Sequence, residues 1–396
     1  MVAAVDADAL IIGGGCAGLS LAVHVVEAAQ RAGRACPRLL VVEPRTTYTR
    51  DRTWCGWRMS EHPFAAAVSH RWTRWAVVEG DRRVVRGTHG HPYEHIPADA
   101  FYALALRKLA AVPAVTLQLG VTATAVRERG AEVEVETGAG CLRAPLVFDA
   151  RPGGEPITTD VAEVELLQHF VGWEIEAERD VFDPEVVEMM DFAAAQARGL
   201  YFTYVLPFSR RRALVEATYI SAAPLPAAQY EADIRDYLAR KHGLADFAVL
   251  FREAGQIPMS TRPLRPRSSP RVINIGLRGG LAKASTGYAF DAIQTFSAEL
   301  AGRLVARGGA PIEPPPPRPA AAVAMDRVFL SYIARHPLRA PALFVDLFEK
   351  LPPALLCRFL TDRGSPLDRL RVMASTPLGQ MTAEALRSRA RWLRTA

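Results

Sequence analysis

"DADALIIGGGCAGLSLAVHVVEAA" (residues 6–29) decides the fold. A short apolar run, Ala9 to Ile12, stops at three glycines, and helical periodicity follows through Leu19, Leu21, Val25 and Val26. The order strand, glycine turn, helix puts Gly13-x-Gly15-x-x-Gly18 in the phosphate-binding turn of a dinucleotide fold. Gly13 permits the tight turn, Gly15 lets a pyrophosphate approach the backbone, and Gly18 lets the helix pack on the strand. Phosphate then sits on the helix N-terminus. "RLLVVE" (38–43) is the next buried strand, and its last residue, Glu43, is placed 25 positions after Gly18 to accept hydrogen bonds from an adenosine ribose. The same window holds 18 residues without a charge, Ala9 to Val26, but its glycines make a continuous helix costly. No other stretch approaches the roughly 20 apolar residues of a transmembrane helix, so the expectation is a chain without a membrane span.

Outward from this motif, the composition is that of a folded protein of two or three lobes: 396 residues, 49% hydrophobic and 23% charged. Five scattered cysteines with no C-x-x-C spacing suit reduced thiols in a cytoplasm. The net charge is +6, and residues 325–396 carry twelve Lys+Arg against six acids, so the excess lies in the carboxyl-terminal region. A basic helical tail interleaved with Phe, Leu and Trp suits an anionic membrane surface or nucleic acid; a solvated helical face accounts for it equally well. "HGHPYEH" (89–95) has three histidines without the helical spacing of a metal site, and no metal is expected. Nothing matches a nucleic-acid-binding motif, so no nucleic-acid partner is expected either.

Along the chain, a helix is expected over about 99–111, strands near 115–119, 131–137 and 144–152, and a helix over about 228–241. "HFVGWEIE" (169–176), "YFTYVLPFS" (201–209) and "RRALVEATYIS" (211–221) read as neighbours in one antiparallel sheet. "RVINIGLRGGLAKASTGYAFDAIQTFSAELAGRLV" (271–305) repeats the strand, glycine loop, helix order of the amino terminus. An amino-terminal nucleotide motif with a second glycine loop late in the chain favours FAD over NAD, although spacing alone leaves both open. "PIEPPPPRP" (311–319) is a stiff linker to a helical end. The expected class is α/β: a Rossmann-like FAD-binding domain (1–155 and 266–310, with substrate-lobe insertions in 50–97), an antiparallel-sheet substrate domain (156–265) and a helical, membrane-proximal region (320–396).

Glu216 is anomalous. It sits among Val215, Thr218, Tyr219 and Ile220 in a strand of buried character, with no basic residue within three positions. Burying a carboxylate costs several kcal/mol unless it is paired or protonated. Two readings stay open: a strand residue on a solvent face shared with Leu214 and Thr218, or an acid kept protonated by desolvation.

Taken together, "DALIIGGGCAGLSLA", "RTWCGW", "FDARP", "QHFVGWEIE", "YVLPFS", "LVEATY", "IPM" and "IGLRGGLAKASTGYAFDAIQ" resemble the bacterial flavin-dependent lycopene β-cyclases, in order from residue 8 to 294, with weaker matches at "MDRVFL" and "RFLTD". One departure is Asn274-Ile275-Gly276, where related flavoproteins carry Gly-Asp. The resemblance implies an intramolecular lyase of the isomerase class that closes the ψ ends of lycopene or other acyclic carotenoids to β-ionone rings. It also implies FAD in its reduced form, NAD(P)H as reductant, and peripheral attachment to the inner face of the cell membrane. The rival activities in this fold are a flavin monooxygenase and a prenyl-lipid reductase. By the same resemblance Glu216 is the catalytic carboxylate, with either it or the reduced flavin delivering the proton, and Gly279, Gly280, Lys283, Thr286 and Gly287 join Gly13, Gly15, Gly18 and Glu43 in holding the cofactor. Arg278 and Lys283 face flavin or a phosphate, or are surface charge. Trp54, Trp57, Trp173, Tyr204 and Phe208 are candidates for the wall of an apolar tunnel, or for ordinary core.

Overall fold

A computed structural model of the chain describes residues 5–154, 164–193, 196–307 and 310–392. The boundary expected at 155–156 lies outside the described residues, as does Arg394.

β1 (Ala9–Ile12), fully buried, runs parallel to β2 (Leu39–Glu43) on one side and to Val147–Asp149 on the other. The sheet extends through Val115–Leu119 at one end and Val272–Asn274 and Arg267–Ser269 at the other. The late strand expected from the second glycine loop therefore joins the same sheet as the first. α1 (Cys16–Ala32) packs beside the late helix Phe290–Arg307, and two buried hydrogen bonds tie them: Gln294 donates to Ser20 at 2.8 Å and lies 3.1 Å from the His24 ring. Gly18 is required on the other side of α1, where the helix packs on its own glycine turn and on β1: a Cβ there would stand 1.9 Å from the Gly13 carbonyl oxygen.

The second sheet has seven strands, in the order Ala248–Ser260, Glu165–Glu176, Arg212–Ser221, Leu200–Pro207, Val186–Asp191, Arg74–Glu79 and Arg82–Gly87. The three strands expected to be neighbours are so, antiparallel, with Glu165–Glu176 and Leu200–Pro207 flanking Arg212–Ser221. Both faces are covered. On one, Trp173, Val205, Val215 and Tyr219 pack under the helix Ala227–His242. On the other, five helices between Ala320 and Trp392 close over the sheet. Leu330, Tyr332, Phe344, Val345 and Phe348 from them share one core with Trp75, Leu206 and Leu214. The carboxyl-terminal region is thus part of the folded core. The segment before it is also no free spacer, because Ile312 is buried and Arg267 donates to its carbonyl oxygen at 3.0 Å.

Candidate active site

Between the two sheets and the carboxyl-terminal helices lies a cavity of about 1190 Å³. At one end it meets Gly15, Cys16 and Ala17 at the start of α1, with Ala150 and Arg151 beside them. Its middle is walled by Trp54, Tyr93, Tyr204, Glu216, Glu253 and Tyr288, and its far end by Met373, Leu378 and Met381.

The cofactor end fits a dinucleotide. α1 begins at Gly15 with no side-chain cap and no acid in its first turn, leaving backbone N–H groups and the positive end of the helix dipole for phosphate. Glu43, buried at the end of β2, accepts from the Gly14 N–H at 2.6 Å and from Arg45 Nε at 2.7 Å. Burial would raise its carboxyl, but the hydrogen bonds from Arg45 and Gly14 and the Arg45 charge hold it below the ordinary value, so it is an anion ready to accept ribose hydroxyls. The late loop meets α1 closely: a Cβ at Gly276 would stand 2.7 Å from Ala17 Cβ. From that loop Thr286 and Gly287 line the cavity, and the buried Thr286 hydroxyl has no protein partner.

Other residues of the late loop lie elsewhere. Gly279 folds against the Asn274 carbonyl and Gly280 takes a left-handed turn, both outside the cavity wall. Lys283, expected at the flavin, is buried in an ion cluster: its ammonium lies 2.8 Å from Asp326 and 2.7 Å from Asp362, and Arg318 bridges the same two aspartates at 2.5 Å. Its charge is neutralised by the carboxyl-terminal helices, which lie far from the motif that suggested its role in the sequence. Arg278 likewise pairs with Asp149 at 3.1 Å. Asn274, in place of the usual Gly-Asp, is buried and bridges Ser268, Arg278 and the Arg265 carbonyl.

Glu216 faces the cavity, so of its two readings the solvent face is excluded. Alternate residues of its strand, Ala213, Val215, Ala217 and Tyr219, pack toward the Ala227–His242 helix, while Leu214, Glu216 and Ile220 line the cavity. Glu216 is 8% exposed. Burial and the charge of Glu253 push its carboxyl up to about 8, against a hydrogen bond from Thr218 Oγ1 at 2.6 Å. It is therefore largely protonated near neutral pH. Of the aromatic candidates, Trp54 and Tyr204 line the cavity; Trp57, Trp173 and Phe208 do not. Trp173 is fully buried on the opposite face, and Phe208 packs on His70 and His95. Sequence reasoning missed Tyr93 and Tyr288, whose hydroxyls form a chain with Tyr204: Tyr204 donates to Tyr93 at 2.5 Å, and Tyr93 lies 3.2 Å from Tyr288. It also missed Glu253, whose strand alternates exposed and half-buried residues and so looks like an ordinary edge. Among the described residues no group of three His, Cys, Asp or Glu is arranged to hold a metal.

A family model described as "Lycopene cyclase protein" matches residues 8–386. The chain belongs to the lycopene cyclase family. A lycopene beta-cyclase of Paracoccus sp. (strain N81106) is 30% identical over 225 residues, which are 53% of this chain and 56% of that protein. The stretch matched is thus about half the length of that relative. Among solved structures, a flavoprotein/dehydrogenase from Cytophaga hutchinsonii superposes with a TM-score of 0.61 at 13% identity, covering 98% of this chain and 100% of that one. A geranylgeranyl bacteriochlorophyll reductase-like protein from Thermoplasma acidophilum gives 0.60 at 12% identity, covering 95% and 98%. The lycopene cyclase family member thus shares its fold with flavoproteins along nearly its whole length.

Proposed function

We propose that this protein is a lycopene β-cyclase that adds a proton to a ψ end of lycopene and closes it to a β-ionone ring, giving γ-carotene or β-carotene, without net redox change. The observation that carries the reading is Glu216: a protonated carboxylic acid on the wall of a largely apolar cavity that reaches, at one end, the phosphate-binding start of α1. An alkene is a very weak base, so its protonation needs an acid held away from water and a wall that tolerates the cation formed. Trp54, Tyr204 and the aromatic rings around them supply π faces for that charge. Reduced FAD, held by Gly15, Glu43, Thr286 and Gly287, would supply negative charge beside the cation; NAD(P)H is the proposed source of its electrons.

Delivery of substrate from a bilayer, on the cytoplasmic side, belongs to the same proposal, and the apolar residues near the far end of the cavity support the bilayer contact. Leu367, Leu370, Met373, Leu378 and Leu386 are exposed on the last two helices, and Met373 and Leu378 also line the cavity. Large exposed apolar side chains gathered on neighbouring helices mark an interaction surface, and basic Arg371 beside them suits anionic headgroups. No helix among the described residues is long and apolar enough to cross a membrane.

The test is incubation of the purified flavoprotein, reduced with dithionite, with lycopene in liposomes made up in deuterated water. β-Carotene or γ-carotene labelled at C2 of the ring, with no stoichiometric consumption of reductant, is the expected product. Hydroxylated or reduced product formed at the expense of reductant would assign one of the rival flavin activities instead.

A further inference from the structure

Ring closure needs two proton transfers of opposite sense, and Glu216 accounts for only one. The sheet supplies a second group in register with it. Tyr204 pairs with Glu216, Glu216 with Gly172, and Gly172 with Glu253, so one row crosses four strands and faces the cavity. Gly172 leaves the space between the two acids clear. A Cβ there would stand 3.3 Å from Glu253 Cγ, 3.2 Å from Leu214 Cδ1 and 3.6 Å from Glu216 Cβ. Glu253 is 7% exposed, on the cavity wall.

We propose that Glu253 is the base of the ring closure, taking the proton from C6 after Glu216 has delivered one to C2, and so fixes where the ring double bond forms. The inference rests on the cyclase reading. The Glu216 O–H bond breaks as the C1=C2 pair forms the C2–H bond, leaving the cation at C1. The C5=C6 pair then forms the C1–C6 bond and moves the charge to C5. The C6–H bond breaks, its electrons restore the C5=C6 double bond, and the proton goes to a Glu253 oxygen. The pair starts and ends with one proton, so no oxidant or reductant is consumed.

The surroundings divide the two roles. Thr218 donates to Glu216 Oε1, leaving Oε2 to carry the proton. Burial pushes the Glu253 carboxyl up to about 7, against the Thr53 side chain and the Arg50 charge, which favour its anion, and with Glu174 opposing them, whereas Glu216 meets the like charge of Glu253. The other titratable groups facing the pair are Cys55 from the Thr53–Trp57 strand and the phenols of Tyr204, Tyr93 and Tyr288, all pushed further toward their neutral forms by burial. The acid and base limbs of the pH profile therefore belong to the two glutamates.

The experiment compares wild type, Glu253→Gln and Glu253→Asp as flavin-loaded holoenzymes on lycopene, reading flavin content, rate against pH, and the ring isomers formed. Glu253→Gln is expected to bind flavin normally, to lose roughly 10²–10⁴-fold in turnover, and to lose the fall in rate at low pH. The C5 cation, without its base, then loses a proton from C4 or from the methyl group, giving displaced double bonds in the product. β-Rings alone with an unchanged pH profile, at any rate, would overturn the role of Glu253. If Glu253→Gln fails to fold, Glu253→Met, of similar length and without a base, decides by the same product analysis: displaced double bonds support the role and β-rings alone overturn it, while Glu253→Asp, which keeps a carboxylate, is expected to make β-rings more slowly. Wild type that makes no ring at all would defeat the cyclase reading itself, and this inference with it.

Discussion

The two sheets build function by opposite means. In the parallel sheet the working parts are backbone: N–H groups at the start of α1, a turn at Gly13, and a helix drawn close by Gly18, with Glu43 as the one committed side chain. In the seven-stranded sheet they are side chains, Tyr204, Glu216 and Glu253, aligned by cross-strand register from segments that lie up to 49 residues apart. A backbone site tolerates exchange of most side chains but no added Cβ at its glycines; a side-chain site should behave in the reverse way.

The sharpest way to break this contrast is Glu216→Gln, which is expected to abolish cyclisation, a loss of at least about 10²–10⁴-fold, while flavin absorbance of the purified protein stays at the wild-type level. Activity within tenfold of wild type would remove the acid from its proposed role. Gly18→Ala tests the other half: the added Cβ meets the Gly13 carbonyl, so the protein is expected to purify without flavin, or not to fold, where Glu216→Gln does neither. A full complement of FAD in Gly18→Ala would contradict the packing described.

Lys283→Met is expected to lower stability by about 3–5 kcal/mol, read by denaturant titration, because it leaves two buried aspartates sharing Arg318 alone. Flavin affinity per folded molecule should not move; a large rise in flavin Kd would return Lys283 to the cofactor. A subtler effect is pH-dependent. The Glu216 carboxyl ionises near 8 in the folded protein, above the value of about 4.3 for an unfolded glutamate, so its favourable contribution is complete at low pH and is lost as pH rises toward 8. Glu216→Gln lacks that loss and is expected to be the more stable protein at pH 9, by on the order of 2–5 kcal/mol; equal thermal melts there would show that the carboxyl ionises freely. Smallest, Leu367→Glu with Leu370→Glu, both exposed and outside the cavity wall, should reduce sedimentation with anionic liposomes while leaving turnover of detergent-dispersed lycopene nearly unchanged.

The same contrast explains what the sequence revealed. The amino-terminal motif is local, with spacing, composition and geometry all within residues 9–43, and its strand, helix and acid lie as expected. Glu216 was legible because a lone acid in an apolar strand violates alternation. Glu253 violates nothing: its neighbours Arg252 and Gln256 are polar, and only the register through Gly172 sets it opposite Glu216. Lys283 misled for the converse reason. It stands in a glycine loop that resembles a cofactor contact, but its counter-charges, Asp326 and Asp362, come 43 and 79 residues later.

That cluster makes the chain's last quarter indispensable to a part of the molecule it follows at a distance. A ribosome that has passed residue 310 has already made Lys283 but neither of its counter-charges, so this loop can take its final packing only after Asp326 and Asp362 have been made. Premature termination before Asp326 would remove both carboxylates that pair with Lys283.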